Sequence, residues 1–111
     1  MNSDEAVLNN YFDTLGINKA AITAKQAELV FKCLVDDLLN NKISDTQFGD
    51  IAGDLLYAHK ITNRLEKELP ELAGLLTFAS EISWDKENYP TRYKNTMKKI
   101  LLYAHKKTES N

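Results

Sequence analysis

The sequence predicts an all-α fold, a compact four- or five-helix bundle in a single domain over residues 1–111, and three observations predict it. Apolar residues recur at spacings of three and four along most of the chain. Only four Gly and two Pro interrupt it, too few turn residues for a many-stranded sandwich, and 43% apolar against 27% charged residues is too hydrophobic for disorder. At 111 residues there is room for one core and no more.

The first helix is expected to open at Ser3 or Asp4 and to carry Val7, Leu8, Tyr11, Phe12 and Leu15 on one stripe before Gly16 caps its end. Thr23-Ala-Lys-Gln26 reads as a capping box, in which hydroxyl and amide satisfy free backbone N–H groups. Ala27, Val30, Phe31, Leu34, Val35, Leu38 and Leu39 follow it, a wide apolar face that suits a central helix closed by Asn40-Asn41. Ser44-Asp-Thr-Gln47 repeats the box and opens a third helix with Phe48, Ile51, Leu55 and Ala58 inward. That helix either frays near Thr62 or runs on through residues 64–67, until Pro70, which lacks a backbone donor, starts a new helix over about 70–82. Residues 83–90 read as the longest irregular connector, carrying Trp84 and Tyr89. Pro90 then opens a last amphipathic helix with Tyr93, Met97, Ile100, Leu101 and Ala104 on one stripe, and residues 108–111 form a frayed polar tail.

No apolar run approaches the roughly 20 residues of a membrane span, and Met1-Asn2-Ser3-Asp4-Glu5 has neither the basic start nor the apolar stretch of a secretion signal, so the expected location is the cytoplasm. The single Cys33 can form no internal disulfide and supplies too little sulfur for structural zinc, so packing must hold the fold and no cofactor or metal is expected.

One motif stands out. Leu55-Leu-Tyr-Ala-His-Lys-Ile-Thr62 and Leu101-Leu-Tyr-Ala-His-Lys-Lys-Thr108 agree at seven of eight positions, 46 residues apart, and hold both histidines of the chain. Helical spacing puts His59 and His105 at the edge of the core stripe and points Tyr57 and Tyr103 away from it. Two interpretations are open: a pseudo-symmetric pair of Tyr/His/Lys surfaces gripping one partner, or two helix C-termini whose His and Lys complement the helix dipole.

The charge is unevenly spread. Residues 1–54 hold nine acids against four lysines, and residues 55–111 hold ten basic residues against seven acids. The last helix carries Arg92, Lys94, Lys98, Lys99, Lys106 and Lys107 with no acid among them, which suits phosphates, an acidic partner, or pairing with acids such as Asp36, Asp37, Asp50 and Asp54. With a pI near 5.6 and no aromatics interleaved for stacking, nucleic acid ranks second as a partner. Asp50 and Asp54, four apart, repel on one helix face; they are either a solvated pair on a helix surface or, with Asp45, part of an acidic patch opposing a basic enzyme.

Nothing points to an enzyme. There is no glycine-rich phosphate loop, no Gly-x-Ser-x-Gly and no ligand cluster, and Cys33 at the flank of an apolar stripe suits an inert packed thiol.

The run Leu38-Leu-Asn-Asn-Lys-Ile-Ser-Asp-Thr-Gln-Phe48, a helix end, a short turn and a capped helix, resembles the opening of small helical immunity proteins that neutralise bacteriocins of the colicin D type. That resemblance implies occlusion of a toxin's active site by charge and shape, with Asp45, Asp50 and Asp54 as candidates, and the basic last helix departs from a purely acidic decoy. The expected function is therefore stoichiometric binding of a protein, such as a toxin or nuclease, through Asp45, Asp50, Asp54, Tyr57, His59, Trp84, Tyr103 and His105. A nucleic-acid-associated protein working through the basic helix and an oligomerising structural subunit are the alternatives.

Overall fold

A computed structural model describes residues 3–109, and the side chains of that span apart from residues 3, 58 and 106–109. The described residues form seven α-helices and no strand: α1 (Ser3–Leu15), α2 (Ala24–Leu39), α3 (Asp45–Gly53), α4 (Thr62–Glu68), α5 (Pro70–Ala79), α6 (Ile82–Asn88) and α7 (Pro90–Glu109), with a π-helical turn over Asp54–Ala58 continuing α3. The all-α expectation holds, and the count exceeds four or five because two short helices stand where a fraying end and a loop were expected.

Local chemistry fixes the early boundaries. Both capping boxes form: the Gln26 and Gln47 backbone N–H groups donate to the Thr23 and Ser44 hydroxyls at 3.1 Å, and each glutamine side-chain oxygen accepts from the cap's own N–H. α1 ends in a Schellman turn, with Gly16 at φ +66° and the Ile17 N–H reaching the Phe12 carbonyl at 2.8 Å. α2 ends the same way on Asn41 at φ +59°, where the Lys42 N–H reaches the Asp37 carbonyl at 2.9 Å.

The later boundaries share a different joint. Leu69 (φ −138°, ψ 68°) and Tyr89 (φ −139°, ψ 69°) each precede a proline that opens the next helix. The proline ring forces its predecessor out of the helical region while fitting the first helical turn itself. Each joint thus cuts a seven-residue helix, α4 or α6, from the helix that follows. α6 corrects the irregular connector expected at 83–90. Its Asp85, almost wholly buried, accepts two hydrogen bonds from Arg92 of α7, at 2.7 and 3.1 Å. α7 runs straight through Thr108 to Glu109, so the frayed tail expected from residue 108 is helix for two of its residues, and residues 110–111 lie outside those described.

α3 sits at the centre, packed on α1, α2, α5 and α6. Gly49 makes that possible: a Cβ there would lie 3.0 Å from the Ala79 carbonyl oxygen and 3.4 Å from Ile82 Cγ2. Phe12, Phe31, Phe48, Leu34, Ile51, Leu56, Leu72 and Ile100 are fully buried around it in one continuous core. The Cα radius of gyration, 13.1 Å, equals the roughly 13 Å of a single compact domain of this length. No helix among the described residues is long and apolar enough to cross a membrane.

Candidate functional site

The two octapeptides adopt different structures. The first leaves its helix: Asp54–Ala58 widens into a π-helical turn, Lys60 takes φ +54°, and Ile61 turns back into the core at the start of α4. The second continues α7 without a break. Tyr57 is exposed, whereas Tyr103, expected to point away from the core, is buried against Phe31 with its hydroxyl donating to the Glu28 carboxylate at 2.6 Å. His59 packs edge-on against Phe12, ring centroids 5.1 Å apart, and His105 is exposed on α7. The two copies do not present a pseudo-symmetric pair of surfaces: the one position at which they differ is Ile61, buried in the core, in the first copy and Lys107 in the second.

The other expected contact residues are also dispersed. Asp45 accepts from Lys86 of α6 at 2.6 Å and from the Tyr93 hydroxyl at 3.4 Å, so it ties α3 to α6 and α7. Asp50 is exposed beside Asp4 of α1, and its carboxyl is held above its ordinary value by partial desolvation and then by the charges of Asp4 and Asp54. Neither Asp50 nor Asp54 is in an ion pair among the described residues. Trp84 is 62% exposed on α6. On α7, Arg92 is paired with Asp85, whereas Lys94, Lys98 and Lys99 are exposed and in no ion pair among the described residues; the Lys106 and Lys107 side chains lie outside those described.

A concave surface lies elsewhere. α2 and α7 meet through Phe31, Glu28 and Tyr103, and beside that contact they enclose a groove of about 470 Å³. One wall is Lys32, Val35, Asp36 and Leu39; the other is Lys98, Leu101, Leu102, Ala104 and His105. Both walls follow the i, i+3, i+4, i+7 rhythm of one helix side. Val35 is buried at its base, while Leu39 at 57% and Leu102 at 63% exposure stand out beside it. Leu39, assigned from the sequence to the core face, is thus a surface residue, because α2 ends before the core closes over it. Clefts lined mostly by apolar side chains with a few polar groups are where proteins hold ligands and partner segments.

Lys32, Val35, Asp36, Leu39, Leu101 and Leu102 were not read as site residues from the sequence. The available signal was Leu102, an apolar residue lying off the α7 stripe among lysines. Cys33 on α2 is half-buried, and burial followed by the nearby Asp36 and Asp37 charges pushes its thiol up, away from the reactive thiolate. Among the described residues no three His, Cys, Asp or Glu side chains gather as a metal site would require.

No protein-family model matches the chain, and neither a curated protein nor a solved structure matches it significantly.

Proposed function

We propose that the protein is a stoichiometric protein-binding module that seats its partner in the α2–α7 groove, and that neutralising a partner enzyme or toxin is its biological role. The observation that carries this reading is the groove itself: an apolar floor with Leu39 and Leu102 exposed beside it and charges at its edges. Apolar anchors desolvated at the centre of an interface supply most of its affinity, and the surrounding charges mainly speed association and select the partner. Asp50 and Asp54, which with Asp45 are the residues the immunity-protein resemblance implies, are the secondary contact in this reading.

The test is capture from the native host with wild type and Leu102→Asp, followed by native mass spectrometry of the captured complex and assay of the partner's activity. The expected result is a one-to-one protein complex that survives nuclease treatment, is lost with Leu102→Asp, and has its partner inactive.

The exposed Lys94, Lys98 and Lys99 favour a second reading, a nucleic-acid contact along α7. Material released by nuclease, with affinity falling steeply with salt and lost on Lys98→Glu/Lys99→Glu, would replace the first reading by the second.

A further inference from the structure

We infer that the occupant of the α2–α7 groove is an amphipathic α-helix of a partner protein whose apolar stripe is flanked by carboxylates; this deepens the protein-binding reading and rests on it. The occupant must be helical because of what the walls lack. Residues 98–105 lie inside a continuous helix, and three of the carbonyls in the last turn of α2 are already taken: Asp36 by the Asn40 N–H at 2.9 Å, Asp37 by Lys42 at 2.9 Å and Leu38 by Asn41 at 3.2 Å. Helix walls offer an incoming backbone no ladder of donors and acceptors, so an extended segment would bury its own N–H and C=O groups without partners. A helix brings those bonds with it.

The size of the groove fits the apolar stripe of such a helix. About 470 Å³ receives a few aliphatic side chains, the number one face presents over two turns at i, i+3 or i+4, and i+7. Leu39 and Leu102 stand one on each wall, placed to close over the sides of the inserted stripe.

The charge of the occupant follows from the rim. Lys32 and Lys98 face the groove from opposite walls, and Lys94 precedes Lys98 by one turn on the same side of α7. Against them the lining holds, among the described residues, one acid, Asp36. A helix flanked by Glu or Asp is steered in and held in register, and one flanked by Lys or Arg is repelled.

The test is to pan a displayed library of helix-forming peptides against the full chain, then to measure Kd for synthetic copies of the enriched peptides. The expected peptides carry apolar residues at i, i+3 or i+4, and i+7 with acids beside them. They should lose at least tenfold in affinity on Leu102→Asp, whose site is exposed enough to leave the thermal midpoint in place. Lys32→Glu/Lys98→Glu should weaken them similarly, and a peptide with its acids changed to Lys should regain affinity for that double variant. Groove-dependent peptides with no acidic bias and no response to charge reversal would overturn the partner chemistry and leave the binding reading standing. Peptides indifferent to Leu102→Asp would place the partner elsewhere. If no peptide is enriched and dodecanoate binds one-to-one with loss on Leu102→Asp, the groove is a site for small amphiphilic anions, and the inference and the binding reading both fall.

Discussion

The Tyr103 hydroxyl donates to the Glu28 carboxylate at 2.6 Å across 75 residues of chain, and both side chains are buried where α2 meets α7. Tyr103→Phe keeps the ring and removes this donor from a buried carboxylate. The expected cost is about 2 kcal/mol, the size of a hydrogen bond to a charged group. Urea unfolding of wild type and Tyr103→Phe measures it, and a difference below about 0.5 kcal/mol would show that water or another group replaces the phenol.

Alkaline pH should act on the same contact. Burial, then hydrogen bonds to Glu28 and Asp37 respectively, hold the Tyr103 and Tyr11 phenols above the usual 10.0. Both stay protonated in the fold while unfolded phenols ionise, so their contribution is whole below pH 10.0 and is lost as pH rises above it. Phenolate absorbance should show the Tyr11 and Tyr103 phenols ionising only with unfolding. Ionisation of either before the fold is lost would contradict the buried geometry.

Arg92 should matter more for stability than for binding. Its guanidinium is half-exposed, but the Asp85 carboxylate it holds is buried, so Arg92→Ala strands that charge. Removing the cation leaves a buried carboxylate uncompensated, so the expected result is a lower thermal midpoint. Arg92→Lys should recover only part of the loss, since a point charge cannot match the two-pronged contact. Thermal melts of both variants decide this, and equal stability of the two would show that charge alone suffices.

Two glycines should respond in opposite directions to alanine. At Gly49 the new Cβ meets the Ala79 carbonyl at 3.0 Å, forcing α3 from α5, with an expected cost of about 1–3 kcal/mol. At Gly74, inside α5, a Cβ meets nothing within 4 Å, so the gain in helix propensity should stabilise by up to about 1 kcal/mol. Chemical denaturation of the pair tests the packing of the central helix directly.

Asp50→Asn should stabilise modestly at neutral pH. The Asp50 carboxyl is raised by partial desolvation and by Asp4 and Asp54, so its ionisation opposes the fold as pH rises from the ordinary 3.8 through the folded value. The advantage of the variant should vanish below pH 3.8 and shrink in high salt. An advantage unchanged at acid pH would assign it to something other than charge.

What the sequence made legible was local. Thr23 with Gln26 and Ser44 with Gln47 place two helix starts because each cap is complete within four residues, and Gly16 and Pro70 act through their own backbone geometry. α6 escaped because its one buried charge, Asp85, is polar in the sequence and is satisfied only by Arg92 once α7 has folded back. The pre-proline joint at Tyr89 was the sign available, since Leu69 before Pro70 does the same at the end of α4. The groove was illegible for a related reason. Leu39 looks like core until α2 ends before the core closes over it, and Leu102, off the α7 stripe, does not say which helix stands beside it. Tyr103 was misplaced because the stripe was phased on Leu101 and Ala104, whereas the buried face of α7 runs through Thr96, Ile100 and Tyr103 at i, i+4 and i+7.

The repeated octapeptide supplies this chain with a matched pair of optical and chemical reporters. Tyr57 and Tyr103 share their flanking residues, Leu-Leu before and Ala-His-Lys after, so intrinsic differences in reactivity between the two phenols nearly cancel. What remains is solvent access, open at Tyr57 and closed at Tyr103. The ratio of nitration at the two rings therefore gauges how often α7 lifts from α2, with the reference carried inside the same molecule.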